Sequence, residues 1–408
     1  MNLFSFLSLL YQIFVAKHPN LSKIRRMGLL ATKIGQLYAL RADFIGVERA
    51  NILTQLYERN FDTTITPTSY VFDPDFRAHF ASIDPLPFSE ASIGKVFGAK
   101  LTNGREVVIK VIKSDFRETF VADVNRLKRY FRFMIFFYPK LARVADPIGT
   151  LEDLERMTLS ELDLRNEIRG IQTLKKTLDT HATFLSTAVK HPLLFPTMYP
   201  ELSSEKILVS DRLTGASFRE LLDEKKLPYD VLIDFFFQHV FCMLLDGYFH
   251  EDIHSGNIFY QDGSIYLLDN GSIGFASPKL RKGLTQFFDD LTHDRIPEAA
   301  SALILMADNA QENEKNFAHY KRDFCALYRD FGRKTLREIS LTQQMMASIK
   351  MAVHAGYVFE RGMYPIIKSF MYLDGMARTC RPETRLMEDV RPLIERFVDY
   401  TKNIQSTR

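Results

Sequence analysis

Residues 248–260 read YFHEDIHSGNIFY, and two incompatible chemistries share those letters. His250, Glu251 and His254 spell a literal H-E-x-x-H. That is a zinc site when both histidines lie one turn apart on a continuous helix and the glutamate serves as general base. Asp252 and Asn257 instead have the D-x-x-x-x-N spacing that puts a carboxylate and a metal-binding amide on one loop. The flanking sequence separates the two. Ser255-Gly256-Asn257 follows at once and the β-prone NIFYQ comes next, so a helix does not run on through His254. The extended zinc form fails as well, because Gly256 stands one residue early and the third histidine is missing.

Phosphoryl transfer depends on electrostatic positioning: a lysine on the phosphates, Mg2+ held by Asp and Asn, and a carboxylate near the nucleophile. Twelve residues past Asn257 comes Asp269, followed by Asn270 and Gly271 at the end of the strand-like SIYLL. An aspartate before a glycine at that place would hold the metal. Upstream, Val107-Val108-Ile109-Lys110 matches a V-A-I-K strand with one substitution. Each motif alone is weak; their order, each on its expected element, gives them weight.

Working outward, the pattern is helical to about residue 62, and TTITPTSYVFDPDF reads as a boundary. ASIGKVFGAKL and EVVIKVIK form an expected hairpin about Asn103-Gly104. Helical patterns follow over about 116–138 and 150–178. KILVSDRL (206–213) reads as a buried strand and LIDFFFQHVFCMLLDGYF (232–249) as a buried helix. NIFYQ and SIYLLD flank a tight turn at Asp262-Gly263, and everything after about residue 277 reads as helix. This order predicts an α+β, bilobal protein-kinase-like fold, with a small hairpin-rich N-lobe, a helical C-lobe and an added helical amino-terminal segment. The expected divisions are 1–26 (apolar and basic helix), 27–75 (added helical segment), 76–213 (N-lobe with inserted helices) and 214–408 (C-lobe and helical tail).

Ala91-Ser92-Ile93-Gly94 resembles the alanine-containing nucleotide loop of the UbiB/AarF family of atypical kinases. Lys33-Ile34-Gly35-Gln36 is similar to that family's K-x-G-Q signature, and Glu161-Leu162-Asp163 to its E-x-D. HEDIHSGNI resembles its H-A-D-x-H-x-G-N-I, and LLDNGSIGF its L-L-D-F-G segment. The resemblance runs from about residue 27 to about 393. It implies an ATP- and Mg2+-binding kinase or ATPase. Lys110 would contact the phosphates and pair with a helix carboxylate, for which Glu167 is the candidate. Ala91, Ser92, Ile93 and Gly94 would form the nucleotide loop. Glu161 and Asp163 would face the nucleotide and meet Lys33 and Gln36, so that the K-x-G-Q helix covers the region where an ordinary kinase receives a peptide. Asn257 and Asp269 would hold Mg2+, with Asp252 as the catalytic-loop carboxylate. The resemblance also implies service to quinone or isoprenoid-lipid metabolism at a membrane, with protein phosphorylation in trans disfavoured. Glu90 in the nucleotide loop, Lys95 in place of a common Gln, and Asn270 in place of an aromatic residue depart from the pattern. These departures support the alternative of a nucleotide-binding pseudokinase that acts through partners.

A chain of 408 residues, 46% hydrophobic and 25% charged, is an ordinary folded protein. Its net charge of +3 gives no footprint for nucleic acid. Cys242, Cys325 and Cys380 lie far apart with no C-x-x-C, as expected of reduced thiols in a cytoplasmic protein. The run LFSFLSLLYQIFVA (3–16) is too short to span a bilayer and lacks a signal peptide's basic n-region and cleavage site. Ser5, Ser8 and Gln12 form one polar stripe on it, and Lys17, Lys23, Arg25 and Arg26 follow. Such a segment suits either peripheral contact with an anionic membrane through residues 1–26 or packing on the protein's own surface.

Overall fold

The alternating apolar residues of GKVFGAKL and EVVIKVI produce two strands that each bury one row of side chains. The computed structural model describes residues 1–39, 45–56, 72–90, 94–112, 116–138, 147–310, 314–360 and 362–406. In it β1 (Phe80–Ile83), β2 (Ser89–Glu90), β3 (Gly94–Leu101), β4 (Glu106–Ile112) and β5 (Ile207–Asp211) form an antiparallel sheet. The order is β1-β3-β4-β5, with β2 also paired to β3. The expected hairpin turns at Gly104, whose φ of 86° only glycine adopts freely. Val107, Ile109 and Val111 enter a core with Phe97 and Val209, so the two-residue period turns Lys110 to the opposite face. Lys110 stands between Val96 of β3 and Leu208 of β5.

The chain divides into two units. The first comprises Met1–Ile168 and Thr197–Arg212. Besides the sheet it holds α1 (Leu3–Leu10), which runs on as a wider helical turn over Tyr11–Val15, and α2 (Leu29–Ala39). It also holds α3 (Phe116–Phe137), α4 (Pro147–Glu161) and the start of α5 (Arg165–Thr180). Phe6, Leu9 and Ile13 form one core with Leu30 and Ile34 of α2 and Phe120, Val124 and Leu127 of α3.

The second unit comprises Arg169–Pro196 and Leu213–Arg408. Leu174 and Leu178 of α5 pack into its core, at whose centre lies α6 (Tyr229–Leu245). That helix is buried nearly all round, and its polar residues are satisfied. Asp234 accepts the backbone N–H groups of Lys190 (2.9 Å) and His191 (3.0 Å), and the Gln238 Oε1 accepts that of Leu193 (2.8 Å). Next come β6 (Tyr248–His250), β7 (Ile258–Gln261), β8 (Ser264–Leu267) and β9 (Ile273–Phe275). β9 pairs with β6, while β7 and β8 form a hairpin flanked by the two-residue strands Ala216–Ser217 and Leu193–Leu194. The helical tail includes α7 (Pro278–Thr292), α8 (Met363–Cys380) and α9 (Leu386–Ser406). No helix among the described residues is long and apolar enough to cross a membrane.

Candidate active site

In the first unit, Lys110 Nζ lies 2.5 Å from Glu167 Oε1, with the side chains only 13% and 6% exposed. Glu167 stands in the first turn of α5, so it contributes a carboxylate where the helix dipole is positive. Lys33 of α2 forms a second ion pair with Glu161 at the end of α4. In the run Glu161-Leu162-Asp163-Leu164, Leu162 and Leu164 are buried with Ile112 and Leu208, which leaves Glu161 and Asp163 half-buried outside that cluster. Gln36 is buried and donates to the Leu56 carbonyl at 2.9 Å. Asp163 accepts from Arg165 Nε and Nη2, each at 2.8 Å. The fold thus brings Lys33 and Glu161 together, while Gln36 reaches the backbone of Leu56 and Asp163 the guanidinium of Arg165.

Ala91, Ser92 and Ile93 lie outside the described residues. Gly94 opens β3, and a Cβ there would sit 2.8 Å from the Val111 carbonyl oxygen. The register sets Glu90 of β2 opposite Lys95 of β3.

In the second unit the H-E-x-x-H letters do not form a helix. β6 ends at His250, and Ser255–Asn257 is a single tight turn. His250 is fully buried. Its Nδ1 accepts the Asp252 N–H (3.0 Å), which leaves Nε2 protonated to donate to the Asp269 carbonyl (2.9 Å). Burial lowers its pKa, so the ring is held neutral. His254 Nδ1 accepts the Gly256 N–H at 3.2 Å. Both histidines therefore shape the loop. Glu251, the general base of the discarded zinc reading, is buried and accepts the Ser272 hydroxyl at 2.6 Å.

Asn257 Nδ2 donates to the Asp252 carbonyl (3.2 Å), and the Asn257 carbonyl accepts the Leu268 N–H (2.8 Å). The 252–257 loop is thereby tied to the end of β8, beyond which Asp269 has a left-handed φ of 59°. Asn257 is 1% exposed, and its Oδ1 has no donor among the described residues. A buried carbonyl oxygen left without a donor, near a carboxylate-bearing turn, suits a hard cation such as Mg2+. Asn270 replaces an aromatic side chain without opening the turn. It is fully buried, donates from Nδ2 to the Leu267 carbonyl (3.0 Å), and its own carbonyl lies against Gly170 of α5.

Two residues at this site escaped the sequence reading. Tyr372 OH donates to Asp252 Oδ1 at 2.7 Å, and Lys368 Nζ lies 3.1 Å from the same oxygen. Both sit on α8, and the sole sequence signal was a Lys and a Tyr one turn apart in the largely apolar MYPIIKSFMYLDGM.

Comparison with known proteins identifies the family. Residues 70–303 match the model of the ABC1 atypical kinase-like domain. An uncharacterized aarF domain-containing protein kinase of Arabidopsis thaliana, described as chloroplastic, is 26% identical over 397 residues, covering 90% of this chain and 72% of the relative. The probable protein kinase UbiB of Vibrio vulnificus is 26% identical over 399 residues, covering 92% and 69%. Among solved structures, a Mycobacterium tuberculosis protein in complex with erythromycin aligns over 75% of this chain and 79% of its own. The TM-score is 0.48 and the identity 18%, too distant to add weight. With the family model spanning more than half of the sequence and the fold kinase-like, this chain belongs to the ABC1 atypical kinase-like family.

Proposed function

We propose that the chain binds ATP with Mg2+ and acts as an atypical kinase or ATPase in support of quinone or isoprenoid-lipid metabolism at a membrane. The observation that carries the reading is the Lys110–Glu167 pair, because kinase chemistry needs its strand lysine held by a helix glutamate. Lys110 orients the phosphates, and Ala91, Ser92, Ile93 and Gly94 line the nucleotide loop. Lys33, Gln36, Glu161 and Asp163 complete the nucleotide surroundings. Asn257 and Asp269 hold Mg2+, which neutralises charge developing on the phosphates. Asp252 positions the acceptor oxygen. With the K-x-G-Q helix pinned by Lys33 to Glu161, water or a small lipid-like hydroxyl is a better acceptor than a protein in trans.

Mg-ATP at about 100 times its dissociation constant should stabilise the protein by roughly 2.7 kcal/mol, read as a rise in melting temperature. No rise would sink the nucleotide reading. Asp269→Asn and Lys110→Ala should each abolish phosphate release. A variant with unchanged release would assign the activity elsewhere. A nucleotide-binding pseudokinase is the second reading, favoured by Glu90 in the nucleotide loop and Asn270 after Asp269. Mg-ATP stabilisation without turnover would select it.

The membrane part of the reading draws on α1. Phe6, Leu9 and Ile13 face the core and Gln12, just beyond α1, is buried and accepts the Asn20 N–H at 2.7 Å, while Phe4 is 84% exposed, with Leu3, Leu7, Tyr11 and Val15 also outward. α1 runs alongside α3 in the same direction, since Met1 meets Asp123 and Arg126 and Phe6 meets Tyr130 and Phe131. The exposed Phe133, Phe136, Phe137 and Tyr138 extend the same kind of surface, and exposed Lys17, Lys23 and Arg26 lie beyond α1. Apolar side chains beside cations fit the interface of an anionic bilayer. Deleting residues 1–16, or replacing Phe4, Leu7 and Tyr11 by serine, should reduce co-sedimentation with anionic vesicles. Unchanged binding would refute membrane contact by this segment.

A further inference from the structure

We infer that Lys368, together with Tyr372, is a positioning residue for Asp252, supplied to the catalytic loop by a helix of the tail; the inference rests on the enzymatic reading above. The two side chains are one helical turn apart on one face of α8, and both reach Asp252 Oδ1. The Lys368 ammonium also lies 5.7 Å from the Tyr372 ring centroid, so the pair acts as a unit. Lys368 has an 18% exposed side chain flanked by buried Ile367 and Ser369. An ammonium so placed is costly without anionic company, and Asp252 supplies a carboxylate oxygen at 3.1 Å.

The platform is firmly held. Ser369 Oγ meets Nε2 of buried His239 on α6 at 2.7 Å. Asp374 accepts the Ser340 hydroxyl at 2.5 Å and the Leu341 N–H at 3.2 Å. The Phe370 ring sits 5.0 Å from that of Phe288 on α7. A hydroxyl donor and an ammonium on one oxygen restrain the Asp252 carboxylate, which is the orientational requirement for a group that aligns an acceptor. In the transfer itself, the acceptor oxygen bonds to the γ-phosphorus as the bond to the bridging oxygen of ADP breaks. The acceptor's proton passes to Asp252 and is later released to solvent. A cation 3.1 Å from Asp252 also offsets the repulsion between that carboxylate and the anionic group in transfer.

The test uses the full chain with Lys368→Met, Lys368→Arg, Tyr372→Phe and Asp252→Asn, measuring ATP turnover and melting with and without Mg-ATP. Lys368→Met should lower kcat by about 30-fold or more while KM moves less than about threefold. Lys368→Arg should restore part of the loss, and Tyr372→Phe should cost about three- to tenfold. Because Lys368 acts through Asp252, the Lys368→Met, Asp252→Asn double variant should be no slower than Asp252→Asn alone. An unchanged or raised kcat in Lys368→Met overturns the inference, as does a loss that multiplies in full with that of Asp252→Asn. Should Lys368→Met fail to fold, Lys368→Gln, which keeps a polar side chain and removes the charge, and Tyr372→Phe decide: wild-type kcat in both overturns the inference. A wild-type protein that neither releases phosphate nor gains stability with Mg-ATP defeats the underlying enzymatic reading instead, and the inference falls with it.

Discussion

Replacing Gly170 by alanine adds one methyl group at a place where the structure leaves no room for it. A Cβ on Gly170 would lie 2.0 Å from the Asn270 carbonyl oxygen and 2.9 Å from Ile273 Cγ1. Non-bonded heavy atoms settle at about 3.5 Å or more, so α5 and the Asn270 turn must part by more than about 1 Å. Backbone cannot yield as a flexible side-chain tip does, and such overpacking costs typically 1–3 kcal/mol. For a unit of this size that is a drop of roughly 2–12 °C in melting temperature. Asp269 is the residue before Asn270 and its carbonyl anchors His250, so affinity for Mg-ATP should fall as well. The control is Gly375, an exposed glycine inside α8 with nothing within 4 Å of an added Cβ. Gly375→Ala should stabilise the protein by about 0.5–1 kcal/mol through helix propensity alone. Differential scanning fluorimetry on both variants decides the matter. A Gly170→Ala protein that melts with the wild type would refute the close approach of α5 to this turn.

Further outcomes follow from the buried charges. Lys110→Met removes the cation paired with Glu167, whose side chain is only 6% exposed, and should cost about 3–5 kcal/mol in urea unfolding, with Glu167→Gln recovering part of it. A full-stability Lys110→Met would contradict a buried pair. Burial pushes the pKa of His239 down to about 3, from 6.5 when unfolded, and lowers that of His250 in the same direction. Between those values the unfolded chain binds more protons. The stability contributed by His239 is therefore complete above about pH 6.5 and falls as the pH drops toward 3, by at most about 1.4 kcal/mol per unit, with His250 acting in the same direction. His239→Asn should flatten this slope, and an identical slope in the variant would show that His239 does not drive it.

The sheet hairpin and the catalytic loop were legible because their signals are local. Asn103-Gly104 between alternating strands, and Asp252 five positions before Asn257, lie within the range over which spacing constrains geometry. The Glu161-Leu162-Asp163-Leu164 run was legible as a motif, but only burial of its leucines explains why the carboxylates are left outside that cluster. Lys368 and Tyr372 were not legible, since 120 residues separate Tyr372 from Asp252 and the pairing exists only after the tail helices pack. The spacing puts Ser5, Ser8 and Gln12 on one polar stripe and leaves its direction open. In the fold Gln12 turns inward to satisfy a backbone donor, and apolar residues stand both in the core and outside. Periodicity locates a stripe without telling which way it faces.

The imidazole of His250 behaves like a rivet of fixed length. A planar ring holds its two nitrogens at a set spacing and with opposite hydrogen-bonding roles, one accepting from the Asp252 backbone and the other donating to that of Asp269. The backbones of Asp252 and Asp269, proposed above to align the acceptor and to hold the metal, are therefore clamped as a single part. A side chain with a shorter or freely rotating span would let them drift independently, so tolerance to substitution at His250 measures how closely the two must be co-registered.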